Sequence, residues 1–217
     1  MNAFGRQLLL EHRDSLQTFD QAAQAIVERI YQTFRTEEGR SIFALLRIFR
    51  LSRPNEVPSA WSISTQPTDV LLSLAGSCGD EPAWCNPHQS QRHKVVSVSV
   101  NATPMMQEAF RQLGIQPQLG RQGEAVRQIM SADLRRFYEP EALGSPFIPD
   151  QETFVKPYGI RSVVGIGSQF ASGNAYILIG FSKLFISDAQ SLNFTALAPH
   201  VATLLAIYDA KVPLWSF

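Results

Sequence analysis

An α+β fold, with an antiparallel sheet framed by a helix at each end of the chain, is predicted by three observations. Apolar residues near both ends recur at helical spacing, runs of strand-forming residues lie between them, and the last two runs are joined by a short glycine-containing link. The order is helix, strand, long insert, strand, helices, hairpin, helix, which does not alternate as a parallel α/β sheet would.

Each element has its own signal. Phe19, Ala23, Ile26, Ile30 and Phe34 follow one another at steps of four, three, four and four, placing them on one stripe of a helix spanning about 4–35. Residues 41–50 are rich in Ile, Phe and Leu and read as a buried strand. Residues 94–100 alternate, with Val96, Val98 and Val100 opposite Ser97 and Ser99, as on a sheet with one wetter face. Residues 160–170 and 174–183 form two more strands, and Ala171-Ser172-Gly173 between them signals a hairpin. Ser187 with Gln190 makes a capping box for a C-terminal helix over about 187–210, whose stripe is Phe194, Leu197, Val201, Leu204 or Leu205, and Tyr208. Pro199 inside that stripe predicts a kink or a break.

Two connections are long. Residues 52–93 carry five prolines and one predicted short helix over 68–75, ended by Gly76. Residues 103–158 carry predicted helices near 104–113 and 124–136, then a proline-rich stretch over 144–149. Connections of this length in a compact domain are usually lids or disordered, and apolar residues such as Trp61, Trp84, Phe147 and Phe154 favour ordered lids. The chain reads as one domain over 1–217, with a core of about 41–186 between the terminal helices.

Composition narrows the function classes. The 217 residues are 45% hydrophobic and 18% charged, and 19 basic side chains balance 19 acidic ones. Disorder is excluded by the apolar content, and the concentrated positive charge of a nucleic-acid binder is missing. Two cysteines are too few for a disulfide scaffold. No apolar run approaches the roughly 20 residues that span a bilayer, and residues 8–10 are too short a core for a secretory signal. A cytoplasmic protein that binds neither nucleic acid nor membrane is the expectation.

The stretch Phe154-Val155-Lys156-Pro157-Tyr158-Gly159-Ile160-Arg161-Ser162-Val163-Val164-Gly165-Ile166-Gly167, followed by Ser172-Gly173-Asn174-Ala175-Tyr176-Ile177-Leu178-Ile179-Gly180-Phe181-Ser182, resembles the last two strands of a GAF domain. Upstream, Glu81-Pro82-Ala83-Trp84, Ser90, His93, Pro104-Met105-Met106 and the run from Gly144 to Gln151 are similar to sensory GAF regions that precede bacterial histidine kinases and related outputs. The resemblance covers nearly the whole chain, and no part of this sequence resembles an output domain. It implies a GAF-like sheet with the terminal helices on one face and the lids on the other. It further implies a small-molecule sensor in bacterial signal transduction with an unknown ligand and cofactor, a signalling partner protein, and a homodimer built through the terminal helices. Two other classes stay open: a thiol-dependent enzyme of the free methionine sulfoxide reductase type, with Cys78 and Cys85 alternating as attacking and resolving thiols, and a ligand-free adaptor.

Candidate site residues follow from both lines. Gly165 and Gly167 are two apart, so both lack a side chain on one face of one strand. Either a ligand or another part of the protein approaches closely there. Trp84 and His93 in the first lid, Phe147, Phe154 and Tyr158 in the second, and Arg161 on the strand complete the expected ligand set. Arg161 either pairs an anionic ligand bidentately or faces solvent. Cys78, Cys85, His88 and His93 have the residue types of a tetrahedral metal site, although only the His pair has a usual zinc spacing.

Overall fold

The computed structural model describes residues 16–58, 61, 70–90, 94–98, 103–115, 135–210 and 213–216. The first helix, α1 (Phe19–Thr33), buries Phe19, Ala22, Ala23, Ile26, Val27 and Ile30 on one stripe. Its start is held from both sides. The Gln21 side chain accepts from the Thr18 N–H at 3.4 Å, and the N–H groups of Phe19 and Asp20 donate to the Leu214 carbonyl at 3.1 and 3.3 Å. The tail returns the contact: the Ser216 N–H and hydroxyl donate to Asp20 at 2.9 and 2.7 Å. The predicted reach of this helix back to residue 4 lies outside the described residues.

Six strands follow: β1 (Phe43–Ser52), β2 (Leu71–Gly79), β3 (Val95–Ser97), β4 (Phe137–Glu139), β5 (Ser162–Gln169) and β6 (Ala175–Ser182). They form one sheet in the order β3-β2-β1-β6-β5-β4, and every neighbouring pair is antiparallel. The β5–β6 hairpin closes where predicted, with Gly173 at φ 88° and the Phe170 N–H on the Asn174 carbonyl at 2.7 Å. Residues 68–75, predicted as a helix, contain the start of β2 instead. β2 is buried along its whole length. A strand covered on both faces shows a continuous apolar run rather than alternation, and periodicity cannot separate it from a buried helix.

Both faces of the sheet are covered. On one, α1 packs with α3 (Asp188–Thr195) and α4 (Ala198–Asp209) over Leu46, Ile48, Ala75, Cys78, Val164, Ile166 and Leu178. On the other, α2 (Pro104–Leu113) and the lid residues Ile148, Val155 and Ile160 cover Leu45, Phe49, Leu72, Leu74, Val163, Ile177 and Ile179. The helix of α2 falls on its predicted residues. The one predicted over 124–136 lies outside the described residues, apart from Arg135 and Arg136, which are not helical.

The break predicted at Pro199 is real: α3 ends at Thr195, and the proline sits in the first turn of α4, where its missing N–H has no acceptor to lose. Asp188–Asp209 together is the one described helical stretch long and apolar enough to cross a membrane, at mean hydropathy 1.2. Here its buried residues, Phe194, Val201, Leu204, Leu205 and Tyr208 among them, rest on the sheet of the same chain. The α1 stripe is used in the same way.

Two features lock the helical layer to the sheet. A Cβ on Gly76 would lie 2.6 Å from both the Ala23 carbonyl carbon and its oxygen, so the α1 backbone rests directly on β2. Arg50 of β1 is 1% exposed. Its guanidinium contacts Asp209 at 2.9 and 3.0 Å, Glu56 at 3.1 Å and Ser52 at 3.1 Å. The Phe19 ring lies 5.5 Å away. Asp209, at the end of α4, also accepts from Ser172 and Asn174 of the hairpin.

Candidate functional site: the lid face of the sheet

Strand register defines the lid face row by row, because paired residues in antiparallel strands point to the same side. The outer row runs Gly79, Leu45, Phe181, Val163, Glu139. The central row runs Ser77, Arg47, Ile179, Gly165, Phe137. The third runs Leu74, Phe49, Ile177, Gly167. Every residue of the central row beyond Arg47 is apolar or glycine, and the two polar members stand side by side at its β2 end.

The glycines of β5 do lie on this face, and the chain's own side chains fill the space beside them. A Cβ on Gly165 would meet the Phe137 Cβ at 3.2 Å, and one on Gly167 would meet Ile115 at 3.0 Å and Leu113 at 3.2 Å. Of the two alternatives open in the sequence, close packing is the one observed. Phe137, Leu113 and Ile115 are all buried in the lid-side core.

The lids meet over the outer row. Turn Pro82–Trp84 brings the Trp84 ring above Gly79, where a Cβ would come within 2.8 Å of it. The ring centroid lies 4.6 Å from Tyr158 and 5.6 Å from Phe154, and Phe154 stands edge-on to Phe181 at 5.1 Å. Tyr158 donates its hydroxyl to Glu81 at 3.2 Å, joining the two lids by a polar contact as well. Aromatic pairs of this kind add about 0.5–1.5 kcal/mol beyond their buried area. Three of the expected ligand residues, Trp84, Phe154 and Tyr158, are thus brought together.

The second lid is pinned from inside by Gln151. Its amide nitrogen donates to the carbonyls of Ile148 at 2.8 Å and Ala142 at 3.0 Å, and its oxygen accepts from the Gly144 N–H at 2.9 Å. Phe147 is half-buried in this lid and, among the described residues, does not join the aromatic cluster. Arg161 is exposed; its backbone, not its side chain, is what the fold uses, through Ser182 at 2.7 Å and Ala142 at 2.9 Å. His93 lies outside the described residues.

Arg47 and Ser77 were not singled out in the sequence. Ser77 is 1% exposed, and its buried hydroxyl oxygen has no hydrogen-bond partner. Such a group costs roughly 1–3 kcal/mol unless something satisfies it. Arg47 faces it across the β1–β2 pair. Desolvation by burial holds the Arg47 guanidinium down at about 10, still cationic at neutral pH. A charge in the middle of the run Leu45-Leu46-Arg47-Ile48-Phe49 is the signal that could have found it.

The cysteine and histidine candidates lie elsewhere. Cys78 follows Ser77 on β2 and therefore points to the helical face, where it belongs to the core with α1. Cys85 comes close by, its thiol donating to the carbonyl of Gly79, the residue next to Cys78, at 3.3 Å. His88 turns to Asp20, with Nε2 3.2 Å from the carboxylate. Among the described residues no group of three His, Cys, Asp or Glu side chains is placed to hold a metal ion. Cys78 thus stands on the helical face of the sheet, opposite the lid face.

No family model matches the sequence, and no curated protein does. Solved structures do match. The GAF domain of an Acinetobacter phosphoenolpyruvate-protein phosphotransferase is 12% identical at a TM-score of 0.53, over 98% of this chain and 99% of that one. The GAF domain of the corresponding Coxiella burnetii protein is also 12% identical, at a TM-score of 0.50, over 96% and 94%. The fold of this chain is the GAF α+β fold, with its six-stranded antiparallel sheet.

Proposed function

We propose that this chain is a regulatory GAF-type domain that binds a small molecule on the lid face of its sheet, and that the molecule presents an anionic group to Arg47 and Ser77. The observation carrying this reading is the buried, unpartnered Ser77 hydroxyl directly opposite a desolvated guanidinium, in the row next to the one where the lids meet. Guanidinium and hydroxyl together suit a carboxylate or phosphate. The aromatic cluster of Trp84, Phe154 and Tyr158 supplies an apolar wall with few polar groups, which is the usual make-up of a small-molecule site. Signalling then requires that the ligand favour one of two states of the domain, since equal affinity for both shifts nothing.

Native mass spectrometry of freshly purified protein, followed by thermal-shift measurement with inorganic phosphate, short mono- and dicarboxylates and nucleoside monophosphates, tests the reading. The expected result is a retained or stabilising compound that bears a negative charge. Arg47→Met replaces a half-buried cation with an apolar residue of similar volume and removes the shift, and its ligand-free melting curve shows that the variant is folded. Ser77→Ala weakens binding by roughly tenfold, the worth of one charge-assisted hydrogen bond. A retained neutral compound whose binding survives Arg47→Met refutes the anion assignment. A chain that retains nothing and responds to none of the anions leaves the ligand-free adaptor as the reading in force.

A further inference from the structure

The two cysteines come together at the helical face of β2, opposite the lid face. Cys78 is 7% exposed and Cys85 half-buried, both are free thiols, and the Cys85 thiol donates to the carbonyl of Gly79, the residue that follows Cys78, at 3.3 Å. The sequence separates them by seven positions, and the turn Pro82–Trp84 folds the second back onto the strand that carries the first. That turn is held in place: the Cys85 N–H donates to the Pro82 carbonyl at 3.1 Å, and the Cys85 carbonyl accepts from the Gln24 amide at 3.1 Å. Gln24 in turn makes two hydrogen bonds at 3.0 Å to the backbone of Ser77. One α1 side chain therefore grips the strand and the turn on either side of the thiol pair.

The two thiols differ in access. Cys85 borders a cleft of about 400 Å³ that is also lined by Asp20, Gln24, Glu28 and His88. Cys78 lies behind it in the core. Burial, then the neighbouring Cys85, then Glu28, pushes the Cys78 thiol up to about 12, so it is not the group that reacts first.

We propose that Cys78 and Cys85 are a modification site: a hydroperoxide oxidises Cys85, and Cys78 resolves it to an intrachain disulfide. In the first step the Cys85 sulfur attacks one peroxide oxygen, the O–O bond breaks, and Cys85 becomes a sulfenic acid as the other oxygen leaves as water or alcohol. In the second step the Cys78 sulfur attacks the Cys85 sulfur, the S–O bond breaks, and the hydroxyl leaves as water with the Cys78 proton. Two thiols lose two electrons and two protons, and one peroxide gains them. An external dithiol reductant reverses the change by exchange. The disulfide joins the turn to the end of β2 directly beneath α1, so the oxidation state of the pair is set at the seat of the N-terminal helix.

The full chain treated with a few equivalents of hydrogen peroxide, then unfolded, alkylated and mapped by mass spectrometry, tests this. The expected result is one peptide pair linked through Cys78 and Cys85, loss of both alkylatable thiols, a protein lighter by two hydrogens, and full recovery after dithiothreitol. Cys85→Ser, a change at the half-buried member, leaves Cys78 reduced under the same treatment. Three results overturn the proposal: both thiols still alkylatable, Cys85 carrying added oxygen while Cys78 remains reduced, or disulfides that link separate chains.

Discussion

Removing the Asp209 carboxylate by Asp209→Ala leaves the Arg50 guanidinium 1% exposed without its nearest counter-charge. Asp209 supplies two of the guanidinium contacts, both through one carboxylate oxygen at 2.9 and 3.0 Å. Breaking a buried pair by deleting one partner costs about 3–5 kcal/mol. Glu56 at 3.1 Å remains, with its side chain 26% exposed, and offsets part of this, which places the expected loss near the lower end, about 3 kcal/mol. Arg50→Met alone leaves Asp209 buried but still bonded to Ser172 and Asn174, and the double variant removes both charges. The double variant is therefore expected to be more stable than the sum of the single losses implies, with a coupling of roughly 2 kcal/mol. Urea unfolding of the four proteins at one pH measures this. A cost below about 1 kcal/mol for Asp209→Ala, or strictly additive losses, would show that the pair does not fasten α4 to the sheet.

Three further outcomes follow from close contacts and protonation. Gly76→Ala forces α1 away from β2, because the contacts at 2.6 Å are to backbone atoms of Ala23 that cannot rotate aside; a loss of at least about 1–3 kcal/mol in chemical denaturation is expected, and an unchanged midpoint refutes the direct seating. Gly165→Val drives a side chain into Phe137, so the melting temperature falls in the absence of any ligand; if the space were open, stability would hold. The Cys78 thiol has its pKa raised from 9.0 to about 12, so the unfolded chain releases this proton first. Stability is lost as pH rises from about 9 through 12 and is unaffected by this group below that window, and Cys78→Ala flattens the decline measured by urea midpoints.

Periodicity made the helical frame and the hairpin legible. The α1 stripe, the capping box at Ser187, the break at Pro199 and the link at Ala171-Ser172-Gly173 all depend on local spacing, and all appear where spacing puts them. β2 was hidden because burial on both faces erases alternation, and β4, at Phe137–Glu139, is too short for a period to show. The lid cluster was partly legible, since large aromatics in proline-rich connections have to pack somewhere. Their partners, Glu81 and Phe181, depend on which ends of the fold meet. The same limit applies to the β5 glycines: spacing showed that they share a face, but only the fold shows that Phe137, Leu113 and Ile115 occupy it.

The two arginines of β1 make the case for where recognition belongs. They sit three residues apart on a central strand, so alternation sends Arg47 to the lids and Arg50 to the helices. Arg50 meets two carboxylates, a hydroxyl and an aromatic ring, and its burial is explained by the fastening it provides. Arg47 stands across the strands from Ser77 and Ile179, and burial lowers the proton affinity of its guanidinium. The unsatisfied Ser77 hydroxyl serves packing poorly, and beside a cation in the same row it suits an incoming anion. Under the proposed function, an anionic ligand therefore binds at the Arg47–Ser77 end of the central row rather than beside the β5 glycines, where Phe137, Leu113 and Ile115 fill the space.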